Sequence, residues 1–195
     1  MKFDWMNESS FIEKERRIEI YAPKGSDIFC NNGDVGEEGL TPETICNAPF
    51  YYTEVTGDFV MKARVSLEFQ ETFDSACIMV WQDKTHWAKA CFEKTEYDTH
   101  AVVSVVTKDT SDDANGCNVE EEKVWLQVSR RGSAFAFHYS LDGENFYMMR
   151  FFVLSADETV KAGFVAQAPQ GEGGIRVFED WSIEHKTVKN IRAGK

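Results

Sequence analysis

Short segments alternating apolar and polar residues with period two run through most of this chain. Clear examples are Phe59-Val60-Met61-Lys62-Ala63-Arg64-Val65-Ser66-Leu67, Val124-Trp125-Leu126-Gln127-Val128-Ser129 and Phe135-Ala136-Phe137-His138-Tyr139. Such alternation sends one set of side chains into a core and the other to the opposite sheet face. The pattern predicts strands over 59–69, 76–82, 87–93, 101–107, 123–130, 134–140, 147–153, 160–167 and 175–184, and an earlier one over Arg16–Tyr21. Arg131-Gly132 and Asp142-Gly143 are tight-turn signals. No helical period competes, so the chain is expected to be an all-β sandwich of two antiparallel sheets, one domain over residues 1–195. The portion up to about Thr56 is less regular. Turn-formers at Asn31-Asn32-Gly33-Asp34 and Gly36-Glu37-Glu38-Gly39 predict a long loop over 25–43, and Pro42 and Pro49 resist a regular element there. The tail 186–195 carries four basic residues without a clear packing anchor, and fraying is expected.

A chain of 195 residues buries a full core without disulfides. Its 21 basic and 33 acidic residues leave a net charge of −12, which repels phosphate backbones and anionic lipid. Nucleic acid and membrane surfaces are therefore not expected as partners. The start, Met1-Lys2-Phe3-Asp4-Trp5, has no apolar signal region, and no stretch is long enough to span a bilayer; the expected location is the cytoplasm. Five cysteines, Cys30, Cys46, Cys77, Cys91 and Cys117, lack zinc-ligand spacing and read as free thiols of a reducing compartment.

Several segments carry a resemblance. They are Gly57-Asp58-Phe59, Asp74-Ser75-Ala76-Cys77-Ile78-Met79-Val80, Trp87-Ala88-Lys89-Ala90-Cys91-Phe92-Glu93, Ser104-Val105-Val106-Thr107, Trp125-Leu126-Gln127-Val128, His138-Tyr139-Ser140-Leu141-Asp142-Gly143 and Gly163-Phe164-Val165-Ala166-Gln167-Ala168-Pro169. Their order and spacing resemble the family of the domain of unknown function 1349, which includes YesU-like and regulation-of-enolase-like proteins. Trp5-Met6-Asn7-Glu8 matches an N-terminal motif of that family more weakly. The resemblance implies a concanavalin A-like jelly-roll β-sandwich, the architecture of many lectins and glucanases, without implying an enzyme. The chain departs from the family pattern at Ser111-Asp112-Asp113-Ala114-Asn115-Gly116, so a tryptophan role there does not carry over.

Period-two arithmetic places Ala88, Ala90 and Phe92, Val124, Leu126 and Val128, and Phe135, Phe137 and Tyr139 on core faces. The opposite faces mix tryptophans with polar groups. On this reading Trp81, Trp87, Lys89, Glu93, Trp125, Gln127, His138 and Gln167 line a concave ligand floor. Aromatic rings would cover a sugar's C–H face while the polar groups bond its hydroxyls. A saccharide ligand is the leading expectation. The alternatives are a glycan-active enzyme using Glu93 and a protein-interaction or regulatory module.

Glycosidases need two carboxyl groups, about 5 Å apart for retention or roughly 6.5–9.5 Å for inversion. The acid motif implied by the glucanase resemblance is not intact, because Glu179 and Asp180 are adjacent and point to opposite faces. Glu68 and Glu93 remain, Glu93 as the catalytic candidate. No metal or cofactor is expected. The nearest metal pattern, Ser111-x-Asp113-x-Asn115-Gly116-x5-Glu122, approximates a calcium loop with Asp113, Asn115 and Glu122 as candidate ligands of a structural calcium, against the simpler reading of a polar hairpin loop. A homodimer through sheet edges is compatible with the pattern.

Overall fold

A computed structural model describes residues 1–30 and 44–195; the remainder of the expected 25–43 loop lies outside the described residues. The strands, in chain order, are β1 Asp4–Met6, β2 Phe11–Lys14, β3 Arg17–Pro23, β4 Ile28–Cys30, β5 Thr44–Cys46, β6 Phe50–Thr56, β7 Phe59–Leu67, β8 Ser75–Asp83, β9 His86–Lys94, β10 His100–Lys108, β11 Thr110–Asn118, β12 Lys123–Arg131, β13 Ala134–Ser140, β14 Tyr147–Val153, β15 Thr159–Gln167 and β16 Gly173–His185. They form two seven-stranded antiparallel sheets, β1-β6-β15-β8-β9-β10-β11 and β14-β13-β12-β7-β16-β3-β2, with β4 and β5 as a separate pair. No described helix is long and apolar enough to cross a membrane.

The inner faces meet in one core. Ala76, Ile78, Val80, Ala88, Ala90, Phe92 and Phe164 of the first sheet pack against Met61, Val65, Val124, Leu126, Val128, Phe135, Phe137 and Phe178 of the second. These are the inward positions of the alternating strands, and their removal from water drives the two layers together. The hairpins close where the sequence signals them: Gly132 and Gly143 hold φ of 59° and 79°, a region that disfavours a Cβ.

Pro49 lies outside any strand, just before β6, and its carbonyl accepts from Ala166 N at 3.2 Å. Three expectations are corrected. Ile28–Cys30 forms β4, paired with β5, inside the expected 25–43 loop. The polar stretch Thr110–Asn118 is an edge strand paired to β10, not a hairpin loop. Its extended backbone cannot wrap Asp113, Asn115 and Glu122 into a calcium loop, and among the described residues no three His, Cys, Asp or Glu side chains converge as a metal-binding group. The tail is packed rather than frayed. Val188 is buried, Ile191–Ala193 forms a 3₁₀ turn capped by Asn190, and the Arg192 guanidinium sits 4.6 Å from the Phe151 ring centroid.

A buried ion pair ties one end of the sandwich. Arg176, on β16, donates through Nε and Nη2 to the Gln167 carbonyl at 3.0 and 2.7 Å, and Nη2 lies 3.1 Å from Asp74 Oδ1. Asp74 Oδ2 accepts from the backbone N–H of Gln70 and Glu71, so a single carboxylate fixes the turn into β8 and anchors β16.

Candidate functional site

The eight residues expected on one floor occupy two. Trp81, Trp87, Lys89, Glu93 and Gln167 project from β8, β9 and β15 on the outer face of the first sheet, whereas Trp125, Gln127 and His138 project from β12 and β13 on the outer face of the second. The hydrophobic core lies between them, so no single ligand touches both sets. Alternation assigns a residue to a face of its own strand but does not say which sheet that strand joins.

The outer face of the first sheet is covered by the chain entering and leaving the β4–β5 pair. Ile28, Cys30 and Ala48 form one apolar cluster there with Phe50, Cys77, Met79, Trp81, Trp87, Cys91, Val103, Val105 and Val165 of the sheet. The two tryptophans stack on each other with centroids 6.3 Å apart and are buried, so neither offers a free ring face; the expected stacking platform is corrected on that ground. Within this apolar cover sits a polar cluster. Lys89 Nζ donates to the Ile28 carbonyl at 2.8 Å and to Gln167 Oε1 at 2.9 Å, and stands 3.5 Å from Asp27 Oδ1. Gln167 Nε2 closes the triangle by donating to Asp27 Oδ1 at 2.7 Å. Burial works against the lysine charge, but the Asp27 carboxylate outweighs it and holds the ammonium above its ordinary range.

Further along the same face of β9, Glu93 is only 9% exposed. Burial pushes its carboxyl well above the usual range, an effect Lys89 only partly offsets. Glu93 is therefore held toward the protonated form, a hydrogen-bond donor rather than an anion. The sign for stability follows: the unfolded chain releases this proton at lower pH than the folded one, so Glu93 costs stability as pH rises from about its ordinary value of 4.5 through its folded value. Ser75 stands opposite Glu93, and Cys77 Sγ lies 3.5 Å from Ser75 Oγ. Together these groups put a donor acid, a hydroxyl, an amide and a compensated cation side by side.

On the second sheet the C-terminal tail covers the corresponding face. His138 Nε2 lies 3.1 Å from the Arg192 carbonyl, and Gln127 Nε2 donates to the Gly194 carbonyl at 3.2 Å. Gly194 holds φ of 68° and stands so close that a Cβ would lie 2.5 Å from Gln127 Nε2. Gln127 and His138 are thus structural clasps of the tail. Burial depresses the His138 pKa below 6.5, with the Arg192 and Ile191 carbonyls opposing the shift. The folded chain therefore resists protonation, and His138 lends stability above about pH 6.5 that is lost as pH falls through its lower folded value. In urea unfolding from pH 7.5 to 5.0, the stability of the parent relative to His138→Gln should fall with acid, which isolates the histidine from the opposite pH dependence of Glu93.

Trp125 is half-buried under Lys62 and Arg64, whose charges lie 5.8 and 5.9 Å from its ring centroid. The chain's relatives agree with the arrangement of the two sheets. A model of the family described as protein of unknown function (DUF1349) matches residues 5–186. The chain belongs to this family. "Regulation of enolase protein 1" of Saccharomyces cerevisiae is 30% identical over 139 residues, covering 69% of this chain and 68% of that protein. A crystal structure of a functionally unknown Saccharomyces cerevisiae protein superimposes with a TM-score of 0.84 at 22% identity, over 95% of this chain and 97% of that one. The carbohydrate-binding module CBM66 from Bacillus subtilis superimposes with a TM-score of 0.58 at 10% identity, over 92% and 94% of the two chains, a likeness of fold alone.

Elsewhere in this DUF1349 protein, the other acids stand apart from the polar cluster. Glu68 lines an open groove of about 640 Å³ at one end of the sandwich, beside the stacked Phe69 and His100 and the run Glu120–Glu122. Glu179 is neutralised by Arg17, Lys123 and Arg64, and a bulge between Glu179 and Ser182, with Asp180 at φ 50°, interrupts the strand there. Alternation alone missed Asp27, because its role comes from a covering segment far away in sequence. Ser75 and Cys77 carried a usable signal, lying in phase with Met79 and Trp81.

Proposed function

We propose that this protein binds a neutral carbohydrate or sugar-derived ligand on the outer face of its first sheet, around Glu93, Lys89 and Gln167, without turning it over. The observation that carries the reading is Glu93: a largely buried carboxyl opposite Ser75, pushed by burial toward its protonated form. A carboxyl in that form can donate to a ligand hydroxyl, a bond worth about 0.5–1.5 kcal/mol net. The fold likeness to a carbohydrate-binding module supports the choice of ligand class.

The reading is tested by calorimetric titration of the chain with a panel of neutral oligosaccharides. Glu93→Gln keeps a donor amide at the position and removes the stability cost of the acid, so it should fold at least as well as the parent at neutral pH. The expected result is one-site binding that Glu93→Gln retains in part and Glu93→Leu loses by about tenfold or more, the factor for one hydrogen bond of roughly 1.4 kcal/mol. Equal affinity in parent and Glu93→Leu would refute the site.

A second reading has its own observation. A carboxyl held protonated at neutral pH is what a general acid requires, and Asp113 acts on Glu93 electrostatically. Release of reducing sugar that disappears in Glu93→Gln would establish that glycan-active alternative. Retention of a protein partner with no sugar affinity would instead favour a regulatory module.

A further inference from the structure

Four of the five cysteines, Cys30, Cys46, Cys77 and Cys91, belong to the apolar layer on the outer face of the first sheet, and two of them face each other. Cys77 of β8 is the register partner of Cys91 of β9. The type of pairing follows from the end of the ladder. Phe73, at φ 68°, donates its N–H to the Lys94 carbonyl at 2.7 Å, and Lys94 donates to the Asp74 carbonyl at 3.1 Å, which makes Lys94 the hydrogen-bonded residue opposite a bulge. Alternation from there makes Ser75 with Glu93 a non-hydrogen-bonded pair, Ala76 with Phe92 a hydrogen-bonded pair, and Cys77 with Cys91 again non-hydrogen-bonded. The other side of β8 agrees: Ala166 bonds toward Pro49, leaving Val165 and Gln167 to bond toward Cys77 and Ser75. In a non-hydrogen-bonded antiparallel pair the Cα atoms lie about 4.5 Å apart with side chains turned to the same face, within the roughly 4.4–6.8 Å that a disulfide spans.

We propose that Cys77 and Cys91 are a redox modification site that closes into a reversible cross-strand disulfide by exchange with a low-molecular-weight disulfide of the glutathione class. The Cys77 thiolate attacks the small disulfide and expels one small thiolate; the Cys91 thiolate then attacks the mixed disulfide at Cys77 and expels the second. Two protein thiols are oxidised, one small disulfide is reduced to two thiols, and the two protein protons pass to the leaving thiolates. The order of attack has a physical basis. Burial penalises both thiolates, but at Cys77 the neighbouring Cys91 thiol, the Lys89 charge and the Ser75 hydroxyl outweigh it and lower the thiol, whereas Cys91 is pushed up. Both thiols are fully buried in the apolar layer that Ile28, Cys30 and Ala48 complete, so exchange proceeds through opening of that cover. Its chemistry is independent of whether the same face takes a sugar.

The test is incubation of the folded full chain with oxidised glutathione across a series of redox ratios, followed by peptide mapping, with circular dichroism recorded in parallel. The expected product lacks two hydrogens, carries a peptide linking Cys77 to Cys91, and reverts with dithiothreitol. Cys91→Ser should accumulate a glutathione adduct at Cys77 and lose the linked peptide entirely; Cys77→Ser should lose it too. Absence of a Cys77–Cys91 link at every ratio, a link formed only after the chain unfolds, or preferential pairing of Cys30 with Cys46 would each overturn the proposal.

Discussion

Asp27→Ala is expected to destabilise the protein by roughly 3–5 kcal/mol, the range for leaving a buried charge without its partner. The loss is not that of a surface contact. Lys89 is 3% exposed, and its ammonium is held by the Asp27 carboxylate, the Ile28 carbonyl and the Gln167 amide. Without the carboxylate, two neutral dipoles face a full charge in an apolar layer, and Gln167 Nε2 loses its acceptor as well. Lys89→Met in the same chain should recover most of the loss, because an apolar side chain of similar length asks nothing of its surroundings. The deficit of Asp27→Ala should also shrink as pH is raised, since a lysine deprived of its counter-charge releases its proton more readily. Urea unfolding of the two single variants and the double variant at pH 7 and pH 9 measures all three effects. Equal stability of Asp27→Ala and the parent would show that the charge is compensated elsewhere.

The second large effect is expected at Asp74→Ala, again roughly 3–5 kcal/mol, with a different pH signature. Arg176 and Asp74 are each 1% exposed. Their ion pair is 3.1 Å long but poorly aligned for a hydrogen bond, so the attraction is mainly electrostatic. Removing Asp74 also frees the Gln70 and Glu71 N–H groups and loosens the turn into β8. Arginine does not give up its proton at any accessible pH, so the deficit should stay constant between pH 7 and pH 9 where that of Asp27→Ala shrinks. Arg176→Met should restore the electrostatic part and leave the turn defect. Thermal unfolding of Asp74→Ala, Asp74→Asn and Asp74→Ala with Arg176→Met separates the two contributions, since asparagine keeps an acceptor for the turn.

Much of the fold was legible because its signal is local. The strands from Phe59 to His185, apart from β11, follow the alternation to within a few residues, and the inward faces of β9, β12 and β13 are those the period assigned. The resemblance to DUF1349 proteins, drawn from short motifs, matches the family found over residues 5–186. Elements that depend on partners were not legible. β11 is almost wholly polar and exists as a strand because β10 offers it a ladder. The tail has few apolar residues, yet Gln127 and His138 hold its carbonyls.

The site divides along the same line. The mixed tryptophan and polar character of the outer faces is visible in sequence, but strand order decides that Trp125, Gln127 and His138 lie across the core from Lys89, Glu93 and Gln167. Sequence also cannot tell an exposed tryptophan from one under a cover. Trp81 and Trp87 are buried in one cluster with Ile28, Cys30 and Ala48 of the cover, which makes them part of a second apolar layer instead of a sugar platform.

Mapping amide and indole chemical-shift changes in the isotopically labelled chain, as a binding oligosaccharide is titrated in, decides whether the ligand face belongs to the first sheet. Saturable shifts centred on Ser75, Lys89, Glu93 and Gln167, with Trp125, Gln127 and His138 unmoved, are the predicted result. Shifts centred on the second sheet and its tail, with the Glu93 neighbourhood silent, would contradict it.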